Sequence, residues 1–327
     1  MGIDWEQFKL IVGQHQHFLL TSHIRPDCDA LGSELGMAGI LESLGKQVLI
    51  VNGQATPPNL AFIDPSSKIR VIGEDVTADD LKGVEVLMVL DTSAWAQLGP
   101  MGEVLRGTEA KKVVFDHHVS EDDLGAIALK DTQAEATGRL VAQAAAHLGV
   151  EITPELAMPL YAAIATDTGW FRFGSTTNTT MRVAGNLIEA GADPTKIFSD
   201  LYEQDTIGRV KLRGRILERF TTELEGRLIH TYVLADDFAQ AGALPSDTED
   251  VINMGFGVVG TEFAVILVGQ QTGGFKISFR SRCDAAANQL AEQFGGGGHR
   301  AAAGAFIEES FEIAQSRVLD AVRSAMQ

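Results

Sequence analysis

Phe18-Leu19-Leu20-Thr21-Ser22-His23-Ile24-Arg25-Pro26-Asp27-Cys28-Asp29-Ala30-Leu31-Gly32-Ser33 is an apolar run of strand length that empties into a histidine and two aspartates and then enters a helical pattern. The helical part sets Leu31, Leu35, Ala38 and Leu41 on one face and stops at Gly45, a residue suited to the left-handed conformation that ends helices. A strand, an acid-bearing turn and a helix in that order open a βαβ unit. The rhythm continues outward, with strand-length runs at 48–51, 86–90 and 113–115 and helical patterns at 138–148, 155–165 and 179–190. The first domain is therefore expected to be α/β, a mainly parallel sheet with flanking helices.

From about residue 226 the pattern changes to shorter strands, at 228–234, 262–268 and 275–280, which predicts a smaller α/β domain. The stretch 207–220 reads as a connecting helix whose Lys211, Arg215 and Arg219 recur every four positions on a solvated face. The expected organisation is a catalytic domain over 1–195, a connecting helix or linker over 196–225 and a substrate-binding domain over 226–327.

Composition narrows the function. A chain of 327 residues with 45% hydrophobic and 21% charged residues can bury two cores. Its formal charge of -18 argues against a protein that coats long nucleic acid, which needs a broad basic surface. No run reaches the length of a membrane span, and Asp4 and Glu6 precede any apolar segment, so neither a membrane partner nor a signal peptide is expected and the location read is cytoplasmic. Cys28 and Cys283 stand too far apart in the chain to suggest a disulfide framework or a cysteine zinc site.

Three of the apolar runs end in groups that bind metals. Residues 18–21 lead to His23, Asp27 and Asp29, 86–90 lead to Asp91, and 113–115 lead to Asp116, His117 and His118. In an open parallel sheet such side chains meet beyond the carboxyl ends of the strands. Singly, an aspartate after a strand is a turn former or helix cap. Jointly, neither the 27/29 pair nor the 116–118 triplet looks arranged to cap a helix, and Asp167, followed by Thr168 and Gly169, supplies a fourth acid. Four converging carboxylates repel one another unless cations intervene. Carboxylates with a few imidazoles and no thiolate suit Mn²⁺, Mg²⁺ or another divalent ion, and two such ions about 4 Å apart support phosphoester hydrolysis.

The run Gly295 to Gly298, followed by His299 and Arg300, sits between a helical pattern and a strand near Gly304, where backbone N–H groups could surround an anion. Lys276, Ser278, Arg280 and Arg282 share one face of the strand before it, with Arg280 the preferred phosphate anchor. His15, His17, His147 and His230 read as surface or packing residues, and Trp170, Phe171 and Phe173 as core rather than base-stacking groups.

Together, His23 to Ser33, Asp91, Asp116-His117-His118, Asp167-Thr168-Gly169 and Gly296-Gly297-Gly298-His299 resemble, over nearly the whole chain, the DHH/DHHA1 phosphoesterase family. Within it the pattern is most similar to the bacterial nano-RNases that are also 3'-phosphoadenosine 5'-phosphate (pAp) phosphatases. The resemblance implies two Mn²⁺ ions, one held by His23, Asp27 and Asp91 and the other by Asp29, Asp91, His117 and Asp167. It further implies that Asp116 orients the histidines and that His118 touches the scissile phosphate or leaving group. Arg280, Ser281, Gly297, Gly298 and His299 would bind the substrate's far phosphate and ribose. The expected substrates are short oligonucleotides, pAp or other small nucleotides, and the expected assembly is a homodimer. The alternatives are a cyclic or linear dinucleotide phosphodiesterase and, from another class, a non-catalytic nucleotide-binding protein.

Overall fold

The computed structural model describes residues 2–119 and 121–327, and they fall into two compact units that divide between Glu203 and Gln204. Six strands form the sheet of the first: β1 (His17–Thr21), β2 (Gln47–Asn52), β3 (Ile69–Val71), β4 (Val86–Leu90), β5 (Lys111–Asp116) and β6 (Ile127–Lys130). All pairs are parallel and the order is β3-β2-β1-β4-β5-β6. The order reverses between β1 and β4, so the segments leaving those two strands flank a crevice at their carboxyl ends. β4 is buried along its whole length, as a strand covered on both faces must be. The short edge strands β3 and β6, which have half-exposed positions, lie outside the strand-length runs expected from the sequence.

The helix Cys28–Ser43 is nearly all buried and lies against the helix Pro154–Asp167. A Cβ on Gly32 would come within 2.3 Å of the Pro159 carbonyl, so the contact requires glycine there. Gly36 meets Leu160 in the same way. Gly32 also lies against Ala163, and a Cβ on Gly39 would meet Leu156, so the helices run antiparallel and the start of the first, with Asp29, sits beside the end of the second, with Asp167.

The second unit has its own six-stranded sheet: β7 (Thr221–Glu223), β8 (Leu228–Val233), β9 (Phe263–Gly269), β10 (Phe275–Ser281), β11 (Gly297–Gly298) and β12 (Ala302–Ile307). The order is β11-β12-β10-β9-β8-β7, antiparallel except for β8 and β9. Helices Ala287–Glu292 and Phe311–Ala325 cover one face. Helix Ile207–Glu218, which the sequence suggested as a connector, packs Leu212 and Ile216 into the core on the other face. Among the described residues no helix is long and apolar enough to cross a membrane.

The supposedly solvated basic face of that helix is partly engaged. Arg215 and Arg219 reach the buried Asp237, with an Arg215 Nη1 to Oδ1 distance of 2.9 Å and an Arg219 Nη2 to Oδ1 distance of 3.0 Å. Burial alone would raise the Asp237 carboxyl, but Arg219, the Leu234 N–H and Arg215 outweigh it and hold the group at about 2. The resulting stabilisation is complete above about pH 4 and disappears as the pH falls through about 2. Asp237→Asn should therefore cost about 2–4 kcal/mol at neutral pH. Denaturant titrations should show the difference from the parent protein shrinking in strong acid, whereas a gap that stays constant would assign the loss to packing instead of charge.

Candidate active site

Asp27 ends the turn after β1 and is the N-cap of helix Cys28–Ser43, its Oδ1 accepting the N–H groups of Asp29 and Ala30 at 3.0 Å each. Asp27 thus does cap a helix, and the cap fixes its carboxylate. Asp29, inside the first turn and 1% exposed, accepts the Thr137 N–H at 2.7 Å and the Gly138 N–H at 2.8 Å. Those are the first residues of helix Thr137–Leu148, whose N-terminal end favours negative charge. Asp91 follows β4 directly, is 2% exposed and has φ of 61°, a left-handed conformation that costs a non-glycine residue energy and is typically kept at functional sites. Its Oδ1 accepts the Thr137 hydroxyl at 2.9 Å.

The imidazoles are oriented from behind. His23 Nδ1 lies 3.0 Å from the Ile24 carbonyl and His117 Nδ1 lies 3.1 Å from that of Ala134, so each ring keeps Nε2 for the crevice. His23 Nε2 is 3.8 Å from Asp27 and 3.5 Å from Asp91 Oδ2. His117 Nε2 is 3.5 Å from Asp91 Oδ1, 3.6 Å from Asp167 and 3.7 Å from Asp29. Three overlapping donor groups result, His23/Asp27/Asp91, Asp29/His117/Asp167 and Asp91/His117/His118, each with its ligand atoms within 4.8 Å of one another. Asp91 turns Oδ2 toward His23 and Oδ1 toward His117.

Asp116 is fully buried and gathers the tripeptide. Its Oδ1 accepts the N–H groups of His117 and His118 and faces His118 Nδ1 at 2.8 Å, while Oδ2 is bonded by Ser93 and lies 3.3 Å from Lys130 Nζ. Burial opposes its charge, but His118 and Ser93 prevail and hold it at about 2. The His118 ring is half exposed, the group of this set most open to a ligand.

The field of the crevice is strongly negative. Burial and the neighbouring Asp91 and Asp167 push Asp29 well above the usual carboxylate range, and burial, with Asp91 adding to it, pushes Asp167 up to about 6. Burial opposes a charge on His23, yet Asp27 and Asp91 raise it to about 11. Among the described residues the ion pairs of Asp29, Asp91 and Asp167 are with imidazoles alone. Such a set of oxygen and imidazole donors fits hard or borderline divalent cations, whose charge relieves the repulsion.

Several supporting residues lie outside the sequence expectation. Asn52 ends β2, where no acid marks the strand; its Oδ1 accepts the Ser22 N–H at 3.0 Å and its Nδ2 donates to Glu34 at 2.9 Å. Glu34 is 0% exposed, and burial pushes it up to about 8. A glutamate inside the otherwise small and apolar Gly32-Ser33-Glu34-Leu35-Gly36 segment was the available signal. Thr137 and Gly138 left no signal, because their contribution is a helix end.

Residues 17–164 match the DHH family, N-terminal domain, and residues 227–327 match the DHHA1 domain. Over 98% of this chain and 95% of the relative, the sequence is 30% identical to the bifunctional oligoribonuclease and PAP phosphatase NrnA of Thermus thermophilus. The chain belongs to the DHH/DHHA1 phosphoesterase family. Its fold is similar to that of an exopolyphosphatase-related protein from Bacteroides fragilis, with a TM-score of 0.82 at 23% identity over 98% of this chain and 94% of the other. An exonuclease RecJ bound to manganese is similar more distantly, with a TM-score of 0.56 at 15% identity over 99% of this chain and 96% of that one.

In the DHHA1 domain the glycine run is an edge strand rather than a loose loop. Gly297 pairs with Gly304 and Gly298 with Ala303. A Cβ on Gly296 would fall 2.1 Å from the Gly304 carbonyl and one on Gly298 would fall 2.6 Å from Ala303 Cα, whereas Gly297 has open space above it. His299 is exposed and closes a turn with Ala302. Arg280 is half-buried on β10, but Ser281 points to the opposite face, its hydroxyl donating to the Ala285 carbonyl at 2.6 Å. Elsewhere His147 stacks on Trp5 and His230 is buried against Glu223. Trp170 and Phe171 pack on the DHH core, while Phe173 is 55% exposed.

Gly138 offers a test of the helix-end clamp. A Cβ there would lie 2.6 Å from Ala163 Cβ and 3.3 Å from Asp29 Oδ1. Gly138→Ala is expected to cost about 1–3 kcal/mol and to weaken binding of added Mn²⁺ measured by titration calorimetry. Unchanged melting and unchanged Mn²⁺ affinity would show that the clamp tolerates displacement.

Proposed function

We propose that this phosphoesterase hydrolyses phosphoester bonds in short oligoribonucleotides, releasing nucleoside monophosphates, and converts pAp to AMP and phosphate. The convergence of Asp27, Asp29, Asp91 and Asp167 with His23 and His117 at the reversal of strand order supports the reaction class. The substrate class is supported by the full-length relative of that name. His23, Asp27 and Asp91 would hold one divalent cation and Asp29, Asp91, His117 and Asp167 a second, with Mn²⁺ favoured by the donor set. Cations so placed supply positive charge that polarises a phosphoryl group and acidifies water.

The remaining work falls to the chain's own groups. Asp116 holds His118 by Nδ1, which leaves Nε2 on the open side of the crevice, where it donates a proton to a phosphoryl or leaving-group oxygen. The inward-facing Ser33 and Thr137 hydroxyls hold Asp29 and Asp91 in place. In the DHHA1 domain Arg280, Gly297, Gly298 and His299 would grip the phosphate and ribose away from the scissile bond. Ser281 would act there through its backbone, since its hydroxyl is engaged. A homodimer belongs to the same reading and rests on the family resemblance.

Asp91→Ala removes a ligand from both donor groups and should abolish turnover while nucleotide binding is partly kept; a variant with most of its activity would sink the two-site reading. His118→Ala should lower kcat by about 10²–10⁴ with KM for pAp changed much less. Side-by-side rates on pAp, a diribonucleotide, cyclic di-AMP and pyrophosphate with Mn²⁺ test the substrate class. Dominant cleavage of pyrophosphate or of the cyclic dinucleotide would overturn it.

A further inference from the structure

The sheet of the DHHA1 domain is only partly covered. On the face that carries helix Ile207–Glu218, the apolar cluster draws on β8 and β9 and, among the described residues, takes nothing from β10 or β12. The bare half-face consists of three cross-strand rows: Lys276 opposite Phe306, Ser278 opposite Gly304 and Gly297, and Arg280 opposite Ala302 and the His299 turn. Arg280 and His299 belong to the phosphate grip proposed above. Lys276, Ser278 and Phe306 continue the same surface and have no assigned role.

Their chemistry is unlike an ordinary solvated sheet face. Phe306 is 49% exposed, and its ring is seated over the hairpin turn, since a Cβ on Gly274, itself at φ of 72°, would lie 2.7 Å from Phe306 Cζ. Beside it Lys276 is exposed and makes no ion pair with any described residue, in a chain of net charge -18. The middle row is nearly bare backbone on the β12 side, running from Ser278 through Gly304 to Gly297. Lys276 and Arg280 stand four residue steps apart along the strand, about 13 Å, a length that holds more than one nucleotide. A cation beside an aromatic ring on an uncovered sheet, above a floor of small residues, is how sheets hold single-stranded nucleic acid without reading its sequence.

We infer that this half-face is a second nucleotide subsite, in which Lys276 meets the backbone phosphate next to the one gripped at Arg280 and Phe306 stacks on the adjoining base. A cavity of about 260 Å³ borders the other side of the Lys276, Ser278 and Arg280 row, and Glu249 and Asp250 line it. Their charge directs a phosphate away from the cavity and toward β12. The subsite rests on the proposed function and deepens it. Oligoribonucleotides span both ends of the row, while pAp fills only the Arg280 end, so the row separates the two substrate classes.

The test compares kcat/KM on penta-adenylate RNA and on pAp for the full-length protein with Mn²⁺. In Phe306→Ala and in Lys276→Ala the ratio of pentamer to pAp should fall about tenfold, through KM, as expected for loss of one stacked base or one phosphate contact. Phe306→Tyr should keep the ratio. Lys276→Ala should also flatten the salt dependence of log(kcat/KM) on the pentamer by about 0.7. Equal losses on both substrates, or no loss on the pentamer, would overturn the subsite. Should the parent protein turn over neither substrate, the proposed function fails separately, and anisotropy of fluorescein-labelled penta-adenylate decides the subsite: weaker binding by both alanine variants supports it, and unchanged binding refutes it.

Discussion

Two carboxylates that are almost wholly removed from water, Asp29 and Asp91, face the same small space with Asp167. Burial of like charges at this distance is unfavourable by several kcal/mol unless compensating charge is present. The fold compensates in part: the N-terminal end of helix Thr137–Leu148 donates two N–H groups to Asp29 and a hydroxyl to Asp91, and imidazoles stand between the acids. The shortfall is visible in the raised carboxyl groups of Asp29 and Asp167. A site built this way is poised to take cations, because each cation bound removes repulsion that the protein otherwise stores.

The rest of the DHH domain can be understood as the means of keeping those acids in place. Strand order brings the segments after β1 and β4 together. The glycines of helix Cys28–Ser43 let it approach helix Pro154–Asp167 closely enough for Asp29 and Asp167 to share a histidine. Behind His23 the Asn52 side chain ties the end of β2 to Ser22 after β1 and to the buried Glu34, a polar link inside the domain. Stability and chemistry pull in opposite directions here, and the left-handed backbone of Asp91 is one place where the conflict shows.

Much of this was legible in the chain because strand-length apolar runs ending in acids are a linear signal. The runs before His23, Asp91 and Asp116 each mark a strand of the parallel sheet, and the Asp116-His117-His118 tripeptide marks the family. What stayed hidden has a physical cause in each case. β3 is an edge strand of three residues interrupted by Arg70, and β6 is one of four whose short apolar run, Ala126 to Leu129, is half alanine. Thr137 and Gly138 act through the N–H groups of a helix terminus, one hydroxyl and one close approach, and a lone Thr-Gly pair carries no linear mark of such a role. Glycine composition reports freedom of the backbone, and the fold uses it at Gly296 and Gly298 for the close approach of an edge strand while leaving Gly297 open. Ser281 entered through the family resemblance alone, and the alternation of the strand turns its side chain to the face opposite Arg280.

That alternation also explains why β10 can do two jobs at once. Phe275, Ile277 and Phe279 are spent on the core against helices Ala287–Glu292 and Phe311–Ala325, so Lys276, Ser278 and Arg280 are free to differ from any packing requirement. A helix placed over that half-face would need apolar residues in the row, and the row has none. The polar row and the missing cover are therefore one fact, and β12 matches it, with Ala302 and Gly304 small enough to leave the backbone bare and Phe306 the one large side chain left in the open. An exposed phenylalanine is unremarkable alone. One seated on a glycine turn, beside a lysine with no ion pair among the described residues and on the strand that pairs with the glycine-histidine edge, is an apolar surface that the proposed stacking of a base would cover.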